Sequence, residues 1–329
     1  MVLRLYASSQ PLLLISLPVL AALGLLPLLG SLPKAPATLG YPAEAWFADI
    51  YQGPLTMLII AWVLISLVAW RINSMFNRRE FYPSAVYMPG LVYTLLGCLC
   101  CLEEVSLPVL SANLFVVAGI NQVLAVYRQH RAFSEYFKAG LYLGIAALLY
   151  PPFLVLGVGL WAAIAFTRSF QWREYILAAL AFATPFVWWL TMLFLTDSLE
   201  SAVLMHWKRD VTHFEMGSNA LLLGRVGYFF SAAAFILGVP RFLFSRDRAT
   251  NRARNLSGVF LVFTLFFLGA LVVSVWTMGA WNFSALLVPF TILSSAWYAN
   301  YRYSLLAPFM FYGWLGTLFA LMLDVAGVF

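Results

Sequence analysis

Long stretches without a charged side chain cover most of this chain. A helix needs about 20 apolar residues to cross the hydrocarbon core of a bilayer, and most of these stretches are close to that length. Their apolar residues run continuously instead of alternating, which is typical of membrane-spanning helices. The uncharged stretches are 11–30, 54–70, 81–102, 105–127, 139–167, 175–196, 226–240, 256–301 and 303–323. The pattern predicts an all-α, polytopic integral membrane helix bundle.

Two of these stretches are too long for one crossing. The stretch 256–301 is interrupted at 277–282 by a turn-like sequence, which divides it into two helices of about 20 residues each. The stretch 139–167 contains Pro151 and Pro152. Proline lacks a backbone donor and restricts the residue before it, so this stretch is either one long kinked helix or a short hairpin.

The distribution of basic residues favours the hairpin. Lys and Arg collect in the cytoplasmic loops of membrane proteins. With a hairpin at 139–167, fifteen of the nineteen Lys and Arg residues fall on one side of the membrane. With a single crossing, the arginine-rich segment 241–254 would move to the other side. We therefore expect eleven membrane segments, with the N-terminus inside and the C-terminus outside. Both arms of the hairpin are short, which predicts a partly re-entrant pair shielded by other helices.

The same topology assigns the connecting segments to two sides. The predicted external loops are 31–53 and 197–217, and the predicted cytoplasmic loops are 71–80, 128–138, 168–174 and 241–255. Little sequence remains for a soluble part, so residues 1–329 are predicted to form a single transmembrane domain.

The composition also predicts a membrane protein, and it argues against nucleic-acid binding and metal binding. Hydrophobic residues make up 63% of the chain and charged residues only 10%, whereas soluble domains carry roughly 25% charged residues. The basic residues that make the net charge positive lie mostly on the predicted cytoplasmic side of the membrane. The net charge therefore does not indicate nucleic-acid binding. Cys98, Cys100 and Cys101 lie in one apolar stretch without metal-ligand spacing, which indicates packing residues and predicts no metal site.

The first external loop supplies candidate catalytic acids. Glu44 and Asp49 lie among aromatic residues in segment 31–53. One interpretation is an interfacial helix with aromatic side chains at headgroup level. The other is a lid whose carboxylate, from Asp49 or Glu44, acts as a general base.

The second external loop concentrates charged and imidazole side chains. Its candidate binding residues are His206, Lys208, Arg209 and His213, next to Asp210 and Glu215. Several of them share one face if the segment is helical. Such a group binds phosphate or metal, or is simply a solvated loop. No recognisable zinc-binding motif is present.

Arg225 is the strongest single candidate for a functional residue, because it lies inside a predicted membrane-spanning helix. An ionisable residue there is costly and is a functional candidate by default. It pairs with an outer acid or a lipid phosphate, or extends its side chain to the outer headgroups. Glu103 and Glu104 are read as a helix end, and Asn113, Asn121 and Gln122 as links between helices.

The stretch 110–175 resembles a functionally uncharacterised multi-pass membrane protein family of Bacteroidota. The similarity rests on Leu-x-x-Asn at the start of the fourth helix, the basic loop, Gly-x-Ala-x-Leu-x-Tyr before the prolines and the Arg-x-x-x-x-Arg-Glu turn. It implies a multi-pass protein of the bacterial inner membrane.

More remotely, the layout resembles polytopic GT-C-type glycosyltransferases, which use polyprenyl-phosphate-linked sugars on the outer face. The resemblance implies an acid in the first external loop as catalytic residue, for which Asp49 or Glu44 is available. It also implies a lipid phosphate held by Arg225 with Lys208 and Arg209. The paired acidic motif of many members is absent, so whether the chain is an enzyme stays open.

Three functions therefore stand as hypotheses. The first is a GT-C-like protein that handles a lipid-linked saccharide at the periplasmic face. The alternative is a non-catalytic subunit that docks other membrane subunits through its external loops and apolar flanks. A transporter comes third, because charge inside the membrane is nearly limited to Arg225. Membrane lipids are the expected partners, and the sequence leaves the cofactor open.

Overall fold

A computed structural model of the chain is helical throughout the residues that it describes. These are residues 6, 13–29, 53–79, 86–126, 132–167, 171–197, 218–247, 251–278, 283–299 and 306–325. Within them there are eleven α-helices and no strand. The predicted all-α class is therefore confirmed.

The eleven helices coincide one for one with the predicted membrane segments. They are α1 Leu13–Leu25, α2 Pro54–Arg78, α3 Met88–Glu103, α4 Leu107–Ala125, α5 Phe133–Leu149, α6 Val155–Thr167, α7 Trp172–Leu195, α8 Ser218–Asp247, α9 Asn251–Met278, α10 Leu287–Ala299 and α11 Leu306–Val325. Short 3-10 helices follow α1 (Leu26–Leu29) and precede α6 (Pro151–Leu154) and α10 (Phe283–Leu286).

Six of the described helices are long and apolar enough to cross a membrane: α2, α4, α7, α8, α9 and α11. Four further apolar segments are shorter, namely Leu13–Leu29, Met88–Leu102, Pro151–Thr167 and Phe283–Ala299. Helix α5 has 17 residues and carries Glu135 in its first turn. Length and composition together indicate a membrane protein.

The stretch 139–167 forms a hairpin, as the charge distribution predicted. Helix α5 ends at Leu149, Tyr150 is extended, and the chain turns through the 3-10 helix Pro151–Leu154 into α6. The hydroxyls of Tyr136, near the start of α5, and Thr167, the last residue of α6, lie 3.0 Å apart in a hydrogen bond. The two arms therefore run antiparallel and meet at the prolines.

The helices extend further into the charged segments than hydropathy predicted. The segments 71–80 and 241–255 were expected to be loops, yet α2 continues to Arg78, α8 continues to Asp247 and α9 begins at Asn251. Helix α5 likewise begins at Phe133 instead of residue 139. Arginine and lysine favour helix, so a helix does not end where its apolar stretch ends.

Contacts between helices show that the ends of α2, α4 and α6 and the start of α9 lie at the same end of the bundle. The Phe76 ring near the end of α2 stacks on Phe260 near the start of α9, with centroids 5.6 Å apart. The Arg79 guanidinium, just beyond α2, donates to Asn121 near the end of α4. Phe166 of α6 packs against Gly258 of α9.

We call this the basic end, because it carries nearly all the basic residues of the described helices: Arg71, Arg78, Lys138, Arg173, Arg241, Arg246, Arg252 and Arg254, with Arg79 directly after α2. The opposite end is marked by Glu104, Asp197 and Asp324.

Candidate functional site

Only one of the predicted site residues, Arg225, lies in the part of the chain that the structure describes. The others fall outside it: Glu44, Asp49, His206, Lys208, Arg209 and His213. The predicted convergence of these residues on one cavity with Arg225 therefore stays a prediction.

Arg225 lies about two turns into α8, at the end of the bundle opposite the basic end. Its side chain is exposed. It belongs to a stripe on the outer surface of α8 that includes Leu222, Phe229 and Ile236, with exposed fractions of 62%, 66% and 66%. Since residues three and four apart share one helix face, the guanidinium projects away from the bundle and not into its interior.

The rotation of α8 that exposes Arg225 is set by its packing on α10 and α11. Tyr228 stacks on Phe283 and Phe235 stacks on Phe290, each pair with ring centroids 4.4 Å apart. On the neighbouring face, Phe230 packs against Gly313 of α11. These aromatic contacts occupy the inner surface of α8 and leave the stripe of Arg225 outside.

Arg225 is the only basic residue of the described helices at this end of the bundle. Helix α11 runs antiparallel to α8, since Gly227 lies beside Thr317 and Phe230 beside Gly313. This register places half-buried Asp324 about 8 Å from Arg225 along the helix axis. An acid near the same end of the bundle reduces the local positive charge.

The asparagines of α4 link helices, as the sequence indicated. The Asn113 amide nitrogen donates to the Ser284 carbonyl at 2.8 Å. The Asn121 side-chain oxygen accepts from Arg79 at 3.3 Å. The three cysteines are buried and free of disulfides.

Other polar contacts were not singled out from the sequence. Asn73 of α2 is fully buried and accepts from the Gly90 backbone N–H at 2.8 Å. The Tyr150 hydroxyl donates to Ser274 at 2.8 Å. The signals in the sequence were an asparagine near the end of a mostly apolar helix and a tyrosine before two prolines. Their partners lie on other helices, so the sequence could not identify them.

A small cavity lies between α3, α8 and α10. Its lining residues are Leu96, Cys100, Tyr228, Ser231, Phe283, Leu287 and Phe290. The volume is about 10 Å³, close to what a single water molecule needs. It is too small for a saccharide, so a sugar-sized substrate has to bind elsewhere.

Comparison of the chain with known protein families, with curated proteins and with solved structures finds no match. The candidate site therefore rests on its own geometry: an exposed arginine on an apolar helix face.

Proposed function

We propose that this protein binds a phosphate-bearing lipid, most specifically a lipid-linked saccharide, with Arg225 holding the lipid phosphate. The observation that carries the proposal is the outward position of Arg225 between Leu222 and Phe229, both strongly exposed. Such a surface faces lipid in a membrane, and a charged guanidinium there is costly unless an anion or water reaches it. Phosphate fits this need, because arginine binds it through two parallel hydrogen bonds.

The proposed orientation places Arg225 in the outer leaflet of the bacterial inner membrane. Basic residues near helix ends favour the cytoplasm, and the basic end lies opposite Arg225. This orientation has the N-terminus inside and the C-terminus outside. The bound lipid would then present its headgroup to the periplasm.

The proposed chemistry is GT-C-like transfer from that lipid. Asp49 or Glu44 would act as the general base, which requires it to reach the acceptor hydroxyl. Lys208, Arg209, His206 and His213 would add positive charge beside the phosphate. The support is the residue types of the two external loops and the resemblance in layout.

An accessory subunit is the second candidate, and the outer half of α7 favours it. Gly140 lies against Ala178 and Gly144 against Phe182, so α5 and α7 run parallel and Leu149 is level with Val187. Residues 188–195 continue past the end of α5 and are exposed on almost every side. An apolar helix end with so few neighbours among the described helices is suited to contact another membrane protein.

Lipid retention tests the proposed binding site. Wild-type protein and variants would be purified, exposed to a short-chain polyprenyl phosphate, and analysed by native mass spectrometry. Losing a charge-assisted hydrogen bond removes about 1.5–3 kcal/mol, so Arg225→Ala should weaken retention about tenfold or more. Arg225→Lys should retain part of the affinity.

Leu222→Ala is the matched control, since it removes an exposed side chain from the same stripe. Equal retention by Arg225→Ala and wild type would overturn the proposal. Asp49→Asn and Glu44→Gln address catalysis separately: loss of saccharide transfer with intact lipid retention supports a catalytic base, and unchanged transfer in both variants contradicts it.

A further inference from the structure

Helix α8 carries a line of residues that runs inward from Arg225. Arg225, Ala232 and Val239 are spaced seven residues apart, which is close to two turns of helix. The line lies between the face of α8 that packs on α10 and an outer crest of Phe229 and Ile236, which are both 66% exposed. Ala232 and Val239 are half-buried. Because α11 contacts the opposite face of α8, the line forms the edge of the exposed surface on the side away from α11.

Helix α9 has a matching line of apolar residues. Leu261, Leu268 and Val275 are also spaced seven residues apart. Leu261 and Val275 are half-buried, and Leu268 is 41% exposed. The crest beside them, formed by Leu265 and Val272, is 67% exposed at both positions. Helix α6 packs against the other side of α9, so this line faces away from α6.

The two lines border one groove. Only residues 248–250 separate α8 from α9 in the sequence, and the two helices are in direct contact. Helix α10 is almost fully buried and contacts both of them from the inner side. Because α11 covers one side of α8 and α6 covers one side of α9, the two lines are left facing each other. Counted from the link, Val275 lies at about the height of Arg225, and Leu261 and Val239 lie about 21 Å further in.

We call this surface the α8–α9 groove: its walls are Ala232, Val239, Leu261, Leu268 and Val275, and Arg225 lies at its outer end. The walls are apolar, so they offer a ligand van der Waals contact only. Arg225 is the only charged residue of the groove, and a guanidinium binds phosphate. The groove therefore fits a molecule with one phosphate at the end of one long hydrocarbon chain.

We propose that the prenyl chain of a polyprenyl phosphate lies in the α8–α9 groove while Arg225 holds its phosphate. This inference rests on the proposed function and adds the path of the chain, from Arg225 towards the centre of the bilayer. A polyprenyl phosphate fits better than a diacyl phospholipid, because it carries a single chain for the single groove. A phospholipid would leave its second chain outside. Affinity then depends on the walls of the groove as well as on Arg225.

Native mass spectrometry of the purified full-length protein tests the path of the chain. Ala232→Phe places a ring in the groove about 10 Å inward of Arg225. Ala233→Phe is the matched control, because this adjacent half-buried alanine lies on the side of α8 towards α11. Ala232→Phe should weaken retention of a long-chain polyprenyl phosphate several-fold, since the ring and the chain cannot occupy the same space. Equal retention by the two variants would show that the chain does not lie in the groove.

Leu268→Trp repeats the test from the α9 wall, with Leu265→Trp on the exposed crest as its control. All four variants should keep a melting temperature near that of wild type, because none of these side chains is fully buried. If Arg225→Ala weakens retention but both groove variants behave like their controls, the phosphate site stands and the groove is wrong. If Arg225→Ala retains the lipid as wild type does, the proposed function itself fails.

Competition identifies the kind of lipid. Phosphatidylglycerol, an anionic phospholipid with two chains, should displace bound polyprenyl phosphate several-fold less than an equal amount of isotopically labelled polyprenyl phosphate does. Equal displacement by the two lipids would contradict a site for a single chain.

Discussion

Individual glycines allow the closest approaches between helices in this bundle. A Cβ atom at Gly238 of α8 would lie 2.3 Å from the Leu293 carbonyl oxygen of α10, and one at Gly144 of α5 would lie 2.4 Å from the Phe182 carbonyl oxygen of α7. Small residues permit such backbone contact, which supplies the van der Waals packing that holds membrane helices together. The α8–α10 contact also keeps the stripe of Arg225 facing outward.

We predict that Gly238→Ala destabilises the protein by about 1–3 kcal/mol, because α8 and α10 must separate to admit the methyl group. Gly316→Ala in α11 is the matched control, since a Cβ atom there meets nothing within 4 Å. Its stability should change by about 0.5 kcal/mol or less. Thermal unfolding in detergent measures both variants, and equal melting temperatures would contradict the close contact.

The hairpin of α5 and α6 is the element that charge and proline placement identified together. Helix α5 has 17 residues, about 25 Å of helix, against a hydrocarbon core of about 30 Å. Its tip is not exposed: Tyr150, Pro151, Pro152 and Phe153 are all buried. Phe153 packs edge-on against Phe267 of α9, with centroids 5.5 Å apart. The expectation of a short pair shielded by other helices agrees with this burial.

The hydrogen bond between Tyr150 and Ser274 should measurably attach the hairpin tip to α9. We predict that Tyr150→Phe and Ser274→Ala each lower stability, and that the double variant loses less than the sum. The coupling should be about 1 kcal/mol, the usual contribution of one such bond. A double-mutant cycle on thermal or SDS-induced unfolding provides the value. Strictly additive losses would show that the bond does not contribute.

At the scale of the whole molecule, helix packing collects the basic residues of the described helices at one end. The described helices bring Arg78, Lys138, Arg173 and Arg254 to the basic end, together with Glu135 and Glu174, while Asp197 and Asp324 lie at the other. This segregation requires the hairpin, since an odd number of crossings there would reverse every later helix. The distribution of basic residues along the sequence and the contacts between helices therefore indicate the same helix topology.

We predict that the basic end faces the cytoplasm. Single cysteines introduced at exposed positions, Thr196→Cys beyond α7 and Arg254→Cys in α9, should differ in their reaction with a membrane-impermeant maleimide. In intact cells only Thr196→Cys should be labelled, and both should react after the cells are lysed. The unaltered protein is the background control, because its three cysteines are buried. Labelling of Arg254→Cys in intact cells would reverse the orientation.

The sequence by itself determined the helical class, the approximate position of each described helix and the hairpin at Pro151. These follow from long apolar stretches, from proline geometry and from the distribution of Lys and Arg, which are all local properties. It also singled out Arg225, since a charge in an apolar stretch is visible without a fold. It misplaced helix ends, because hydropathy marks the apolar part of a helix and not the point where its hydrogen bonding ends.

Only the tertiary structure decided which face each helix turns inward. The outward position of Arg225 depends on Tyr228 and Phe235 stacking on residues more than fifty positions away. The hydrogen bonds of Asn113 with the Ser284 carbonyl, and of Tyr150 with Ser274, likewise join residues that are far apart in the sequence. In helices that are apolar on nearly every side, hydrophobic periodicity is too weak to fix this rotation. Packing of aromatic rings against glycines and small residues fixes it instead.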